Sequence, residues 1–453
     1  MRLESDSMGS VEIPDDALYG AQTQRAVDNF KIGTNVMPAA FIRSLAHIKC
    51  AAARANRKCK ALDAERARAI EHAALAVANG AHLEQFPVPV LQTGSGTSSN
   101  MNMNEVLARL ASREAGIDIH PNDHVNCSQS SNDVIPGCIQ VSALLALHSS
   151  LLPALTSLVS RLRARADELT NVVKTGRTHL MDAMPVTLGQ ELATWATQLA
   201  ECEDRFRDSM PRLRQLPIGG SAVGTGVNVP AGFAAQVVAE LEELTGQHFT
   251  LAASPSSRMA GQEVALECSS NLRLLATVHA KVANDLRWMA SGPLSGLAEI
   301  ELKPLQPGSS IMPGKVNPVL PEAVLMAAAE ISGHDSTIAL AAQSGNFQLN
   351  VMLPLIADKL LGAVDLAAGA CAALEQTVRD FSVNTERVQQ QLAANPILVT
   401  ALNREIGYEK AAAIAKRCFE EQRPVLDVAA EETDLARDVL AQLLDPKRLT
   451  VNN

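Results

Sequence analysis

The sequence predicts a mainly α protein, and three observations carry that prediction. Ala, Leu and Val dominate the apolar residues of the 453-residue chain, whereas Phe, Trp and Tyr together make up only 3% of it. Ala and Leu favour helix, and the β-branched and aromatic mix typical of sheets is thin. The segment between Gly261 and Gly292 contains neither Gly nor Pro. Within it Val264, Cys268, Leu272, Leu275, Val278, Val282, Leu286 and Met289 recur in three- and four-residue steps. That is the apolar stripe of one helix about 45 Å long.

The remaining elements follow in order. The N-terminal third reads as shorter helices, about 38–58 and 63–81, separated by polar loops rich in Gly, Asn and Ser. Leu151, Leu155, Leu158 and Leu162 make a second stripe. Leu192, Trp195, Leu199 and Phe206 make a third, on a helix expected to stop before Pro211. Residues 319–343 and 357–380 add two Ala-rich helices. From about 385 onward the chain reads as a small charged region of short helices broken at Pro396 and Pro424. Long helices of this kind cover their stripes by lying side by side or against other subunits, so an elongated, oligomeric bundle is expected. The division expected is 1–136, 137–385 and 386–453.

The formal net charge of −10 argues against general binding to nucleic acid or acidic membranes, though a small anion needs only one or two local cations. The eight cysteines, Cys50, Cys59, Cys127, Cys138, Cys202, Cys268, Cys371 and Cys418, form no CxxC pair and no zinc or iron–sulfur spacing. They read as idle thiols of a reducing compartment. The N-terminus is acidic, without the apolar core of a secretory signal. No run is expected to approach the roughly 18 apolar residues of a membrane span. A soluble, cytoplasmic protein is the expectation.

Five polar segments carry the chemistry. Thr93–Asn100 contains Gly94 and Gly96, which admit close backbone approach, and Ser95, Thr97, Ser98 and Ser99, which donate hydrogen bonds. A helix following this loop points its positive end at it, so the segment reads as an anion cradle or, equally, as a capped turn. His120-Pro121-Asn122-Asp123-His124 offers two histidines, but Pro121 and the Asn/Asp content favour a hydrogen-bonding surface over a metal site. Ser128–Asp133 continues it. His179 lies in a turn beside Arg177 and Thr178, a setting that raises its catalytic odds. Gly219–Asn228 looks like a dinucleotide loop, but with no strand before it close backbone packing is the better reading. The fifth segment, Gly308–Pro318, gathers glycines, two serines, Lys315 and Asn317 into one loop, with Glu322 at the start of the next helix. Such a loop suits closure over an anion.

Taken together these segments resemble the fumarase/aspartase superfamily. GSSIMPGKVNP is similar to its signature loop, and TGSGTSSNMNMNEV, HPNDHVN, QSSND, GRTHLMDAMPVTLGQE, GGSAVGTGVN and GNFQLNV are similar to class II fumarases at matching spacings. LYGAQTQRAVDNF and VTALNREIGYEKAAAIAKR extend the resemblance over nearly the whole chain. It implies a three-domain fold, a homotetramer whose long helices form a twenty-helix bundle, and active sites each drawn from three subunits. The implied reaction is reversible hydration of fumarate to L-malate, a tricarboxylic acid cycle step, without metal or organic cofactor.

By the resemblance Ser309 is the base that removes the C3 proton, acting as a stabilised alkoxide, and Lys315 and Asn317 stabilise the aci-carboxylate. His179 serves the hydroxyl side, and Glu322 orients it. The substrate carboxylates would meet Ser95, Gly96, Thr97, Ser130, Ser131, Asn132, Thr178, Ser310, Lys315 and Asn317. His120, Pro121, Asn122 and Asp123 match a second, shallower anion site, whose usual basic residue falls near Ile117 and Asp118 here. Leu294 stands where many relatives have arginine. The alternative is an aspartate ammonia-lyase or another fumarate-releasing lyase. Serines in GTSSN and QSSND and Gly314 favour the hydratase; Val319–Glu322 and Leu349–Met352 lean the other way. A non-catalytic crystallin-like relative would be expected to have lost the reactive residues, yet all are present.

Overall fold

The computed structural model describes residues 1–450, and within them helix dominates as expected. Five helical runs are long: Ser131–Glu168, Leu188–Leu213, Glu263–Met289, Val319–Ala342 and Leu353–Asp380. The stripes face inward. Leu151, Leu155, Leu158 and Leu162 are fully buried, as are Leu192, Leu199 and Phe206, and Leu272, Leu275, Val282 and Leu286.

Two compact units are defined by contacts. One holds Met1–Pro153, Cys202–Ala276 and Ala327–Ala368; the other holds Ala154–Glu201, Thr277–Met326 and Gly369–Asn453. In the first unit, helix Ala39–Lys58 is buried along most of its length and packs on helices Ala64–Ala78 and Phe233–Thr245. Asp63 caps Ala64–Ala78, its side chain accepting from the amides of Glu65 and Arg66. Arg54 of the first helix bonds Glu71 of the second and Glu240 of the third. The start of helix Ala21–Asn29 is capped from a distance: the buried Glu105 accepts from the amides of Gly20, Gln22 and Thr23. In the second unit, a hairpin pairs Val173–Thr178 with Met181–Thr187, and residues 392–444 bury a small core around Leu402, Ile414, Val428 and Leu440.

The structure differs from the sequence expectations at four points. Helix Leu188–Leu213 continues through Pro211. Pro211 forfeits one i→i−4 bond there, and the helix ends two residues later. A short strand, Gln215–Leu216, does precede the glycine-rich loop and pairs in parallel with Thr250–Leu251 across helix Phe233–Thr245. Among the described residues no third strand lies beside it, so it is no dinucleotide-binding sheet. The Val173–Thr187 hairpin replaces the simple turn expected around His179. One helical run, Ser131–Glu168, is long and apolar enough to cross a membrane by length and composition, although no such run was expected. Of its most apolar stretch 61% is buried inside the molecule, as in a core helix.

His279, inside Glu263–Met289, is fully buried; its Nε2 lies 3.4 Å from Cys371 Sγ and its Nδ1 has no partner. Burial disfavours the imidazolium and pushes the pKa from 6.5 down to about 4. A group depressed in this way contributes stability that is complete above pH 6.5 and lost as pH falls towards 4. The loss should reach on the order of 3 kcal/mol. Thermal unfolding measured across that window should show a shallower decline for His279→Leu than for the parent chain; parallel curves would contradict the assignment.

Candidate functional site

In the first unit, three of the polar segments meet. Gly96 occupies the left-handed region (φ 72°) and forms the N-terminal boundary of helix Thr97–Ala115, so the helix start faces the loop as expected. Ser95 Oγ lies 2.8 Å from Thr97 Oγ1. Asn100, fully buried one turn further on, donates through Nδ2 to Ser131 Oγ (3.0 Å) and to Asn126 Oδ1 (3.1 Å). Thus Thr93–Asn100 is tied to the His120–Asp133 segment. Ser130 caps helix Ser131–Ala146 in a reciprocal box with Asp133, and Asn132 Nδ2 donates to Ala222 O in the glycine-rich loop.

Asp133 is the anchor of that loop. Its carboxylate accepts from the amides of Gly219 (3.0 Å), Ser221 (2.9 Å) and Ser130 (3.0 Å). Burial pushes its pKa up to about 6, against the lowering effect of those amides and of the Lys49 charge. Gly219 therefore offers its amide to a buried carboxylate rather than a phosphate, while Gly220 and Gly224 pack closely against Pro255 and Ser256.

His120 to Asp123 form an exposed single turn beginning at Pro121. His120 Nδ1 accepts the Asp123 amide and His124 Nδ1 accepts the His120 amide, so both Nδ1 lone pairs are occupied by backbone. Pro121 is half-buried, while His120, Asn122 and Asp123 are exposed.

In the second unit, His179 and Leu180 form the two-residue turn of the Val173–Thr187 hairpin, with φ of 57° and 61°. Thr178 and His179 are exposed at its tip. The base of the hairpin is pinned by buried charges. Glu299 accepts from Arg177 NH1 (2.7 Å) and forms an ion pair with Lys174 Nζ (2.7 Å), and Lys174 also donates to Glu191 (2.9 Å). Lys174 and Glu299 are only 3% and 2% exposed, so neither charge has water as a substitute partner.

The Gly308–Pro318 loop closes on itself. Gly308 donates its amide to Lys315 O (2.9 Å), and Asn317 Nδ2 donates to Gly308 O (2.8 Å). A Cβ at Gly308 would lie 2.3 Å from Lys315 O, which explains the glycine there. Ser309 Oγ accepts from the amides of Ile311 (3.2 Å) and Met312 (3.0 Å), an environment that favours negative charge on that oxygen. Ser310 and Lys315 are exposed; Ser309 and Asn317 are half-buried. Glu322 lies in the first turn of Val319–Ala342. Among the described residues, no hydrogen bond or ion pair joins His179, Ser309 and Glu322 within the chain.

The residues that hold these segments, Lys49, Asn126, Asp133 and Glu299, were not singled out from sequence. Asn126 and Asp133 stood inside quoted motifs; Lys49 had as its signal only a charge on an apolar helical face. One close approach gives a direct check. A methyl group on Gly94 would sit 1.6 Å from Val351 O, and Gly94 O accepts the Leu353 amide (2.9 Å). Gly94→Ala should destabilise the chain by more than about 2 kcal/mol, read as a lowered unfolding temperature; an unchanged midpoint would show that the contact is not maintained.

The lyase family model matches residues 9–333, and the fumarase C C-terminus model matches 398–451. A class II fumarate hydratase of Xylella fastidiosa is 54% identical over 450 residues, covering 99% of this chain and 95% of that protein. A second, class II fumarate hydratase 2 of Pseudomonas aeruginosa, is 53% identical and covers 99% and 98%. Among solved structures, class II fumarase from Schistosoma mansoni superposes with a TM-score of 0.96 at 35% identity, covering 99% of this chain and 98% of that one. The native fumarate lyase:delta crystallin of Brucella melitensis gives 0.91 at 39%, covering 98% and 100%. With both family models matched in chain order and full-length relatives more than half identical, the chain belongs to the class II fumarate hydratase family of lyases.

Proposed function

We propose that the chain catalyses the reversible addition of water to fumarate, giving L-malate. The observation that carries this reading is Ser309 Oγ, which receives two backbone amides in a loop that also bears Lys315 and Asn317. Removing a C3 proton from malate demands a strong base, and a serine serves only if its alkoxide is stabilised. In the dehydration direction Ser309 takes the C3 proton. The electron pair moves into the adjacent carboxylate, forming an aci-carboxylate with two negative charges. Lys315 and Asn317 offset that charge. His179 then donates a proton to the departing C2 hydroxyl, which leaves as water, and Glu322 orients the imidazole. Hydration runs the same steps in reverse. Ser95, Gly96, Thr97, Ser130, Ser131, Asn132, Thr178 and Ser310 supply neutral donors to the substrate carboxylates, and His120–Asp123 forms a second anion site.

The assembly belongs to the same proposal: a homotetramer in which each active site draws on three copies. Support comes from side chains left exposed on the helices that bury the stripes. Trp288 is 51% exposed, Met326 68% and Leu340 69%, apolar surface that a second copy would remove from water. His179 and Ser309 are not bonded to each other within one copy, which also favours sites completed by another. The small core of residues 392–444 is in keeping with a C-terminal domain in a three-part division, 1–136, 137–385 and 386–453. Eight cysteines outside any disulfide fit a cytoplasmic setting.

Two measurements test the reading. Loss of fumarate absorbance should proceed without ammonium, and Ser309→Ala should lower kcat by about 10²- to 10⁴-fold with folding intact. A strict need for ammonium, or an active Ser309→Ala, would sink it. Shared sites are tested by complementation. Ser309→Ala and His179→Asn chains, each inactive alone, should regain turnover when unfolded and refolded together. Mixed assemblies as inactive as the parents would exclude sites built from more than one copy.

A further inference from the structure

Lys49 lies in the middle of helix Ala39–Lys58 and is fully buried, among Leu45, Ile48, Cys50, Ala52 and Ala53. Among the described residues no carboxylate forms an ion pair with it. Its partners are two amide oxygens: Asn126 Oδ1 at 3.1 Å and Gln129 Oε1 at 3.0 Å. An ammonium taken out of water on a helix that could have carried leucine needs a reason.

The orientations of its partners supply one. Gln129 spends its Nε2 hydrogens on Val125 O and Cys127 O, so its oxygen must face Lys49. Asn126 donates Nδ2 to Gln129 O, which leaves its oxygen to collect Lys49, Asn100 and Asn104. Asn100 Nδ2 has two hydrogens. One goes to Asn126 Oδ1 and the other to Ser131 Oγ at 3.0 Å. Ser131 Oγ therefore accepts from inside, and its own proton is left to be donated outward.

We propose that Lys49 is a positioning residue that, through Asn126 and Asn100, fixes the Ser131 hydroxyl as a hydrogen-bond donor to a substrate carboxylate. The proposal rests on the hydration reading for the identity of the substrate, not for the coupling itself. Burial pushes the Lys49 pKa down to about 7, with the Asp133 charge opposing. Ammonium and amine both keep N–H donors for the two amide oxygens, so the role does not depend on that titration.

The test uses the full chain and succinate, a dicarboxylate that cannot be hydrated. Lys49→Met keeps the length and removes the donor. It should raise KM for fumarate and the calorimetric Kd for succinate by about tenfold while kcat stays within about threefold. Ser131→Ala should weaken succinate by a similar factor, and the double variant should be no weaker than Ser131→Ala alone, the mark of one shared interaction. Lys49→Gln, which restores an N–H donor, should recover part of the loss and serves in place of Lys49→Met if that variant does not fold. Losses that multiply in the double variant, or succinate binding unchanged in both Lys49 variants, would overturn the proposal. Should the unsubstituted chain fail to hydrate fumarate while the succinate coupling appears, the hydration reading falls and the positioning role stands.

Discussion

Two buried charges decide where the polar loops of the first unit can lie. Lys49 and Asp133 are each fully enclosed, and neither has an ion-pair partner within bonding distance. A charge in such a place needs hydrogen-bond partners, since leaving it without them costs several kcal/mol. Asp133 claims the amides of Ser130, Gly219 and Ser221, and Lys49 claims the amide oxygens of Asn126 and Gln129. Three stretches far apart in sequence are thereby fixed on one frame, and the helix starts at Thr97 and Ser131 come with them. The serines on those starts are ordered because what lies beneath them cannot rearrange cheaply.

The second unit solves the same problem with paired charges. Glu299 sits between Lys174 and Arg177, and Lys174 also reaches Glu191. Coulomb attraction in a poorly screened setting does there what amide donors do for Asp133. The hairpin that results has a rigid base and a two-residue tip, and the tip carries Thr178 and His179. A histidine on a tight turn with both residues in the left-handed region has little backbone freedom, so an exposed catalytic candidate is held by strain-tolerant geometry rather than by contacts of its own.

Elements whose signal is periodic were legible in the sequence; elements whose signal is a partner elsewhere were not. The stripes from Leu151 to Leu162 and from Val264 to Met289 face inward because a helix with one apolar side has a single way to bury it. The Val173–Thr187 hairpin was missed because Gly176, Pro185 and several polar residues dilute its alternation, and its stability comes from Glu299, more than a hundred positions away in the chain. The segments around Ser95, Ser131, His179 and Ser309 were visible as dense polar chemistry and as family motifs. The groups that hold them were hidden for a physical reason: in one dimension, Lys49 in an Ala-rich helix looks like any solubilising lysine, and only burial reveals its cost.

The Gly308–Pro318 loop shows why its chemistry needs more than the loop. Its internal bonds close a ring from Gly308 to Asn317 and aim two amides at Ser309 Oγ, which is enough to bias that oxygen towards negative charge. Yet Lys315 is exposed, and a cation in contact with water offers a developing oxyanion little, because the solvent already screens it. Charge stabilisation of the size that carbon-acid chemistry requires arises only where water is excluded. The apolar side chains beside this loop, Ile311 (83% exposed) and Met312 (49%), have no hydrogen-bonding use and are costly to leave in water. Covering them would dry the site and strengthen every interaction made by Lys315 and Ser309. On the proposed mechanism the loop forms one wall of an enclosure, and the reactivity of Ser309 depends on the surface that closes over it.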